Sequence, residues 1–143
     1  MIARNQRMKV NMDREGLPYN TERTMSYNSR LAQELAKWAE TEGKGGEIAG
    51  ALFRAYFVNV ENIGKIEILT QIAENTGLPA GQAAEVLASR KYKNAVDEDW
   101  RRCAALGVHA VPTFLAGKYM MVGAQPYEEL ERLVQHAAQA ASA

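Results

Sequence analysis

The chain has 143 residues, 47% of them hydrophobic and 24% charged, with 17 Lys+Arg set against 17 Asp+Glu. That length suits one compact domain over residues 1-143 with a sizeable core, and a balanced charge gives no support to a nucleic-acid or other polyanionic partner. The sequence lacks a run of about 18 apolar residues, which argues against a membrane-spanning helix. Its first seven residues lack the apolar core of a secretory signal, and one cysteine excludes both an internal disulfide and a multi-cysteine metal site, so a cytoplasmic protein is expected.

In chain order, Met8 and Met12 with their Arg and Glu neighbours fit a short helix ending at Gly16, although Met8, Val10 and Met12 also alternate as in a strand. Leu31, Leu35 and Trp38 recur at i, i+4 and i+7 and predict a helix from Asn28, with Ser26 or Asn28 as cap and Gly43 as stop. A second predicted helix, from about Gly46 to Asn59, carries Ile48, Leu52, Ala55 and Tyr56 on one side and Phe53 and Phe57 on another, an arc wide enough for burial on two sides. Ile66, Leu69, Ile72 and Ala73 mark a third helix closed by Gly77, and Pro79 opens a fourth with Ala83, Val86 and Leu87 inward. The fifth, from about Asn94 to Leu106, places Val96, Trp100 and Cys103 on one face and ends at Gly107. Strands are predicted at Thr113–Ala116 and Lys118–Val122 around a tight turn, then a last helix from Pro126 with a tail that frays from Ala138. A lone hairpin leaves both edges unpaired, so a further strand is expected from elsewhere.

Cys103, Trp38, Trp100, Tyr56, Phe53 and Phe57 read as core residues at helical spacing. His109 reads as a solvated loop residue and His136 as a surface one, since neither has an acid, a nucleophile or a second histidine nearby in sequence. The best candidate site is the corner Val111-Pro112, where a proline that fixes φ and lacks an N–H separates helix from strand.

Val108-x-x-Val111-Pro112-Thr113-Phe114, Gly117-Lys118-Tyr119 and Val122-Gly123-Ala124-Gln125-Pro126 resemble the C-terminal part of DsbA-like thioredoxin-fold proteins. Upstream, Gly16-Leu17-Pro18-Tyr19, Ala51-Leu52-Phe53-Arg54-Ala55-Tyr56-Phe57 and Val86-Leu87-Ala88-Ser89 follow the same family's order, most closely its FrnE-type branch. The resemblance implies an N-terminally truncated DsbA-like α/β fold. A helical insertion would span about residues 26-106, with the thioredoxin-like hairpin and final helix over about 107-137. Family members exchange disulfides through a Cys-x-x-Cys pair. One thiolate attacks the substrate disulfide and the second thiol resolves the mixed disulfide. The resemblance further implies a cis proline at Pro112 facing that pair, and a Val111 backbone free to pair with an extended peptide or thiol substrate.

This chain carries no Cys-x-x-Cys. The expectation is therefore an oxidoreductase relative inactive by itself, without cofactor or metal, and homodimeric through its incomplete sheet. The alternatives are a non-catalytic self-associating or peptide-binding module, and a relative of kappa-type glutathione transferases. The latter tend to carry Trp-Gly-x-Asp-Arg where this chain has Val122-Gly123-Ala124-Gln125.

Overall fold

The computed structural model describes residues 2–141, with side chains over 5–141; the last two residues of the tail lie outside them. Among the described residues, seven helices and two strands occur in the order α1 (Ile2–Arg14), α2 (Arg30–Thr41), α3 (Gly45–Phe57), α4 (Ile66–Asn75), α5 (Ala80–Ala88), α6 (Lys93–Ala105), β1 (Thr113–Ala116), β2 (Tyr119–Val122) and α7 (Tyr127–Ala141). The described residues form two compact units, the first through Glu98 and the second from Asp99, so the division falls inside α6. The last helix runs on to Ala141 rather than loosening at Ala138, since Ala-rich sequence has the highest intrinsic helix propensity.

The first unit owes its core to the predicted stripes. Leu35, Ile48, Leu69 and Leu87 are fully enclosed, with Trp38 and Ile72 nearly so. Each such aliphatic side chain contributes about 1.5–3 kcal/mol by leaving water. Helix α2 packs on α3, α4 and α5, and α4 on α3 and α5. The Asn28 side chain accepts the Arg30 N–H at 2.9 Å, supplying a partner to the open start of α2.

Two charged residues are buried in this unit, Arg23 and Glu34. Glu34 is wholly buried beside Leu35 and Trp38. Arg90 grips its carboxylate with a fork, Nε to Oε2 at 2.9 Å and Nη2 to Oε1 at 2.6 Å, and Arg30 Nε adds a bond at 3.3 Å. Arg30 also pairs with Asp97 and donates to the Lys93 carbonyl at 3.0 Å. Arg90 reaches Glu34 from a left-handed backbone, φ 55°. The guanidinium of Arg90 and then that of Arg30 hold the Glu34 carboxyl below its ordinary range, against the opposing effect of burial.

The second unit is thinly packed. β1 and β2 pair antiparallel, Thr113 with Val122 and Ala116 with Tyr119, across a two-residue turn. Gly117 there has φ 58° while Lys118 stays at negative φ, the pattern of a type II′ turn with glycine first. Helix α7 covers one face: the His136 ring meets Tyr119 edge-on at 4.4 Å, and Ala137 lies beneath Gly117. Cross-strand partners share a face, so Leu115 with Met120, and Thr113 with Val122, lie on the other. Leu115, Met120 and Val122 are all exposed, and no described residue after Val96 is fully buried.

Three residues expected in the core lie outside it. Phe53 is 64% and Trp100 53% exposed, and Cys103 is exposed as well. Helical spacing marks a stripe but not the length over which neighbours cover it. In α6 the cover stops at Val96, and in α3 the second stripe lies off the core. Among the described residues the sheet has two strands, the lone hairpin that the sequence predicts.

Candidate functional site

The site is the corner that joins α6 to the hairpin. Helix α6 ends at Ala105, and Gly107 beyond it has a left-handed φ of 75° that lets the Val108 N–H reach back to the Cys103 carbonyl at 2.9 Å. The chain then turns through His109 and Ala110 into Val111-Pro112, whose peptide bond is cis. Two bonds fix the entry into the hairpin. Thr113 Oγ1 donates to the Ala110 carbonyl at 2.6 Å, and the Gly123 N–H donates to the Pro112 carbonyl at 2.8 Å, extending the hairpin ladder to the proline.

Held this way, Val111 projects into solvent with 89% of its surface exposed. Beside it an open groove of roughly 350 Å³ is lined by Trp100, Cys103, Ala104, Val108, His109, Ala110 and Val111. The structure thus brings Val111 together with His109, which the sequence read as a solvated loop residue, and Cys103, which it read as core. His136 lies elsewhere, on α7 against Tyr119. Trp100 and Ala104 are site residues that sequence reasoning missed, although their i, i+3, i+4 spacing with Cys103 in α6 already placed all three on one face.

The groove's walls are apolar apart from the Cys103 thiol and the His109 imidazole. Chemically it can hold a short extended segment against indole and valine surfaces. The thiol can form a mixed disulfide with an added disulfide, expelling one thiolate. Resolution of that species requires a second thiol, and the sequence has one cysteine. Among the described residues no three His, Cys, Asp or Glu side chains are grouped to hold a metal ion, and no helix is long and apolar enough to cross a membrane.

Comparison with known proteins gives this geometry a context. Residues 2–135 match the model of the DSBA-like thioredoxin domain family. The uncharacterized protein YwbO of Bacillus subtilis (strain 168) is 31% identical over 105 residues, 73% of this chain and 52% of its own length. The crystal structure of SCO1869 from Streptomyces coelicolor, described as a probable DsbA oxidoreductase, superposes with a TM-score of 0.88 at 28% identity, over 96% of this chain and 60% of its own. A protein of Nitrosomonas europaea proposed to be a disulfide isomerase has the same fold, with a TM-score of 0.71 at 22% identity over 94% of this chain and 71% of its own. The chain therefore spans about half the length of the Bacillus relative and three-fifths of the Streptomyces one.

Proposed function

Because this chain belongs to the DSBA-like thioredoxin domain family, we propose that its second unit is the substrate-presenting side of a thiol–disulfide exchange site, and that the chain alone does not turn disulfides over. The observation that carries this is Val111, almost wholly exposed on a fixed corner beside an apolar groove, in a sequence with one cysteine. An extended peptide pairs its backbone with that of Val111 and rests a side chain on Trp100. The Leu52-Phe53-Arg54-Ala55-Tyr56-Phe57 and Gly123-Ala124-Gln125 runs support placement in the FrnE-type branch.

The test is reactivation of a scrambled-disulfide substrate, already oxidised with wrong pairings, with and without the chain. The expected result is no acceleration over buffer, unchanged by Cys103→Ala, while an unstructured peptide shifts the amide resonances of Val108, Ala110 and Val111. Multiple turnover by the purified chain would refute the inactive part, and unmoved resonances the presenting part.

A second reading, a homodimer, is favoured by the uncovered hairpin face at Leu115, Met120 and Val122. Light scattering at micromolar concentration should then give twice the chain mass, and Leu115→Lys should halve it. A parent chain that scatters as a monomer removes this reading.

A further inference from the structure

The second stripe of α3 forms a site distinct from the corner. Gly50, Phe53, Arg54 and Phe57 stand at i, i+3, i+4 and i+7 and so share one side of the helix, while Ile48, Leu52 and Ala55 turn into the core. With Met12, Leu17, Pro18 and Val58 they line a groove of about 390 Å³, within the range of small-molecule sites. Its floor is aromatic: the Phe53 and Phe57 rings lie 6.3 Å apart, tilted by 35°. A Cβ built on Gly50 would meet nothing within 4 Å, so this position is a notch in the helix surface. Glycine inside a helix costs about 1 kcal/mol relative to alanine, and no neighbour's bulk requires it here.

The groove is also charged in one place. Arg54 is its one charged lining residue, and the guanidinium has no hydrogen bond or ion pair among the described residues. Position in the last turn of α3 accounts for a cation near the helix C-terminus. It does not account for two phenylalanine rings and a notch left open beside that cation.

We infer that this groove binds a small amphipathic monocarboxylate, with its apolar body on Phe53 and Phe57 over Gly50 and its carboxylate on Arg54. An anion is selected because the lining offers a guanidinium and no acid. An apolar body is selected because the remaining walls are Met, Leu, Pro, Phe and Val. The site lies wholly in the first unit and does not depend on the reading of the Val111 corner.

Decanoate is the probe, with decanol and decylammonium as its neutral and cationic counterparts. Binding to the full chain is followed by displacement of an anilinonaphthalene sulfonate dye and by the Met12 methyl resonance. Decanoate should saturate with a Kd on the order of 0.1 mM and shift the Met12 methyl. Arg54→Gln should weaken decanoate about tenfold and leave decanol within about twofold. Gly50→Leu, which fills the notch with a good helix former, should weaken both while the helical circular dichroism is kept. Three results would each overturn the inference: no saturation by decanoate in the parent chain, equal affinity for decylammonium, or unchanged affinity in Gly50→Leu.

Discussion

Replacing Glu34 by alanine tests the account of the first unit most directly. The substitution removes the carboxylate that two guanidiniums share, one through a two-bond fork and one through a single longer bond. Breaking a buried ion pair from one side costs about 3–5 kcal/mol. The lower end applies here, because Arg30 keeps Asp97 and the Arg90 side chain, 43% exposed, can turn to water. Glu34→Gln preserves shape and one acceptor, and should cost about 1–2 kcal/mol. Urea unfolding followed by the fluorescence of Trp38, 3% exposed in the core, isolates this unit when Trp100 is replaced by phenylalanine.

The pH dependence gives the same experiment a second arm. The Glu34 carboxyl lies below its ordinary value of 4.5 in the folded chain. The stabilisation is therefore fully present above that value and is lost as pH falls through the folded one. The gap between the parent and Glu34→Gln should be constant at neutral pH and shrink below about pH 4.5. A Glu34→Ala midpoint within about 0.5 kcal/mol of the parent, or a gap that ignores acid, would show that the buried network does not stabilise the unit as argued.

Other perturbations probe other links. Leu35→Ala deletes an enclosed side chain and should lower the unfolding free energy of the first unit by about 2–5 kcal/mol in the same urea titration; a loss under about 1 kcal/mol would mean the site collapses around the cavity. Gly117→Val puts a β-branched residue at φ 58°, so amide exchange at Phe114 and Met121 should quicken about tenfold or more, a strain of roughly 1–2 kcal/mol, and unaltered exchange would discredit the turn assignment. Cys103, exposed on the groove, should react with an aromatic disulfide reagent in the native chain at close to its rate in urea, and a thiol that reacts only after unfolding would restore the core reading.

The helices from α2 onward were legible in the sequence because they have apolar residues at helical spacing, with Gly43, Gly77 and Gly107 ending three of them, whereas residues 8–12 fitted helix and strand alike. The hairpin was legible because runs rich in Phe, Leu, Tyr and Val flank the Ala116-Gly117 pair. The buried Glu34 was not anticipated, although its position among Leu31, Leu35 and Trp38 puts a carboxylate on the apolar side of α2. Only the fold reveals Arg90 as its partner, 56 residues away and in a backbone conformation no propensity predicts for arginine. At the corner, Val111 and Pro112 were identifiable because proline constrains the chain locally. Cys103 and Trp100 were misread because burial depends on what packs against a stripe, and that information lies elsewhere in the chain. The same reason left Phe53 outside the core that its spacing suggested.

Helix α6 has a consequence for how order spreads along the chain. Its first turns are pinned: Val96 is enclosed and Arg30 ties Lys93 and Asp97 to α2. Its last seven residues, Asp99–Ala105, have no enclosed side chain and are fewer than the roughly 12–15 that an isolated helix needs to persist in water. Nucleation is the costly step and elongation the easy one, so those residues are helical on credit from the pinned turns. A glycine near Glu98 would interrupt that propagation without touching a single packed atom, and the groove wall formed by Trp100, Cys103 and Ala104 would dissolve while the core beneath α2 stayed folded.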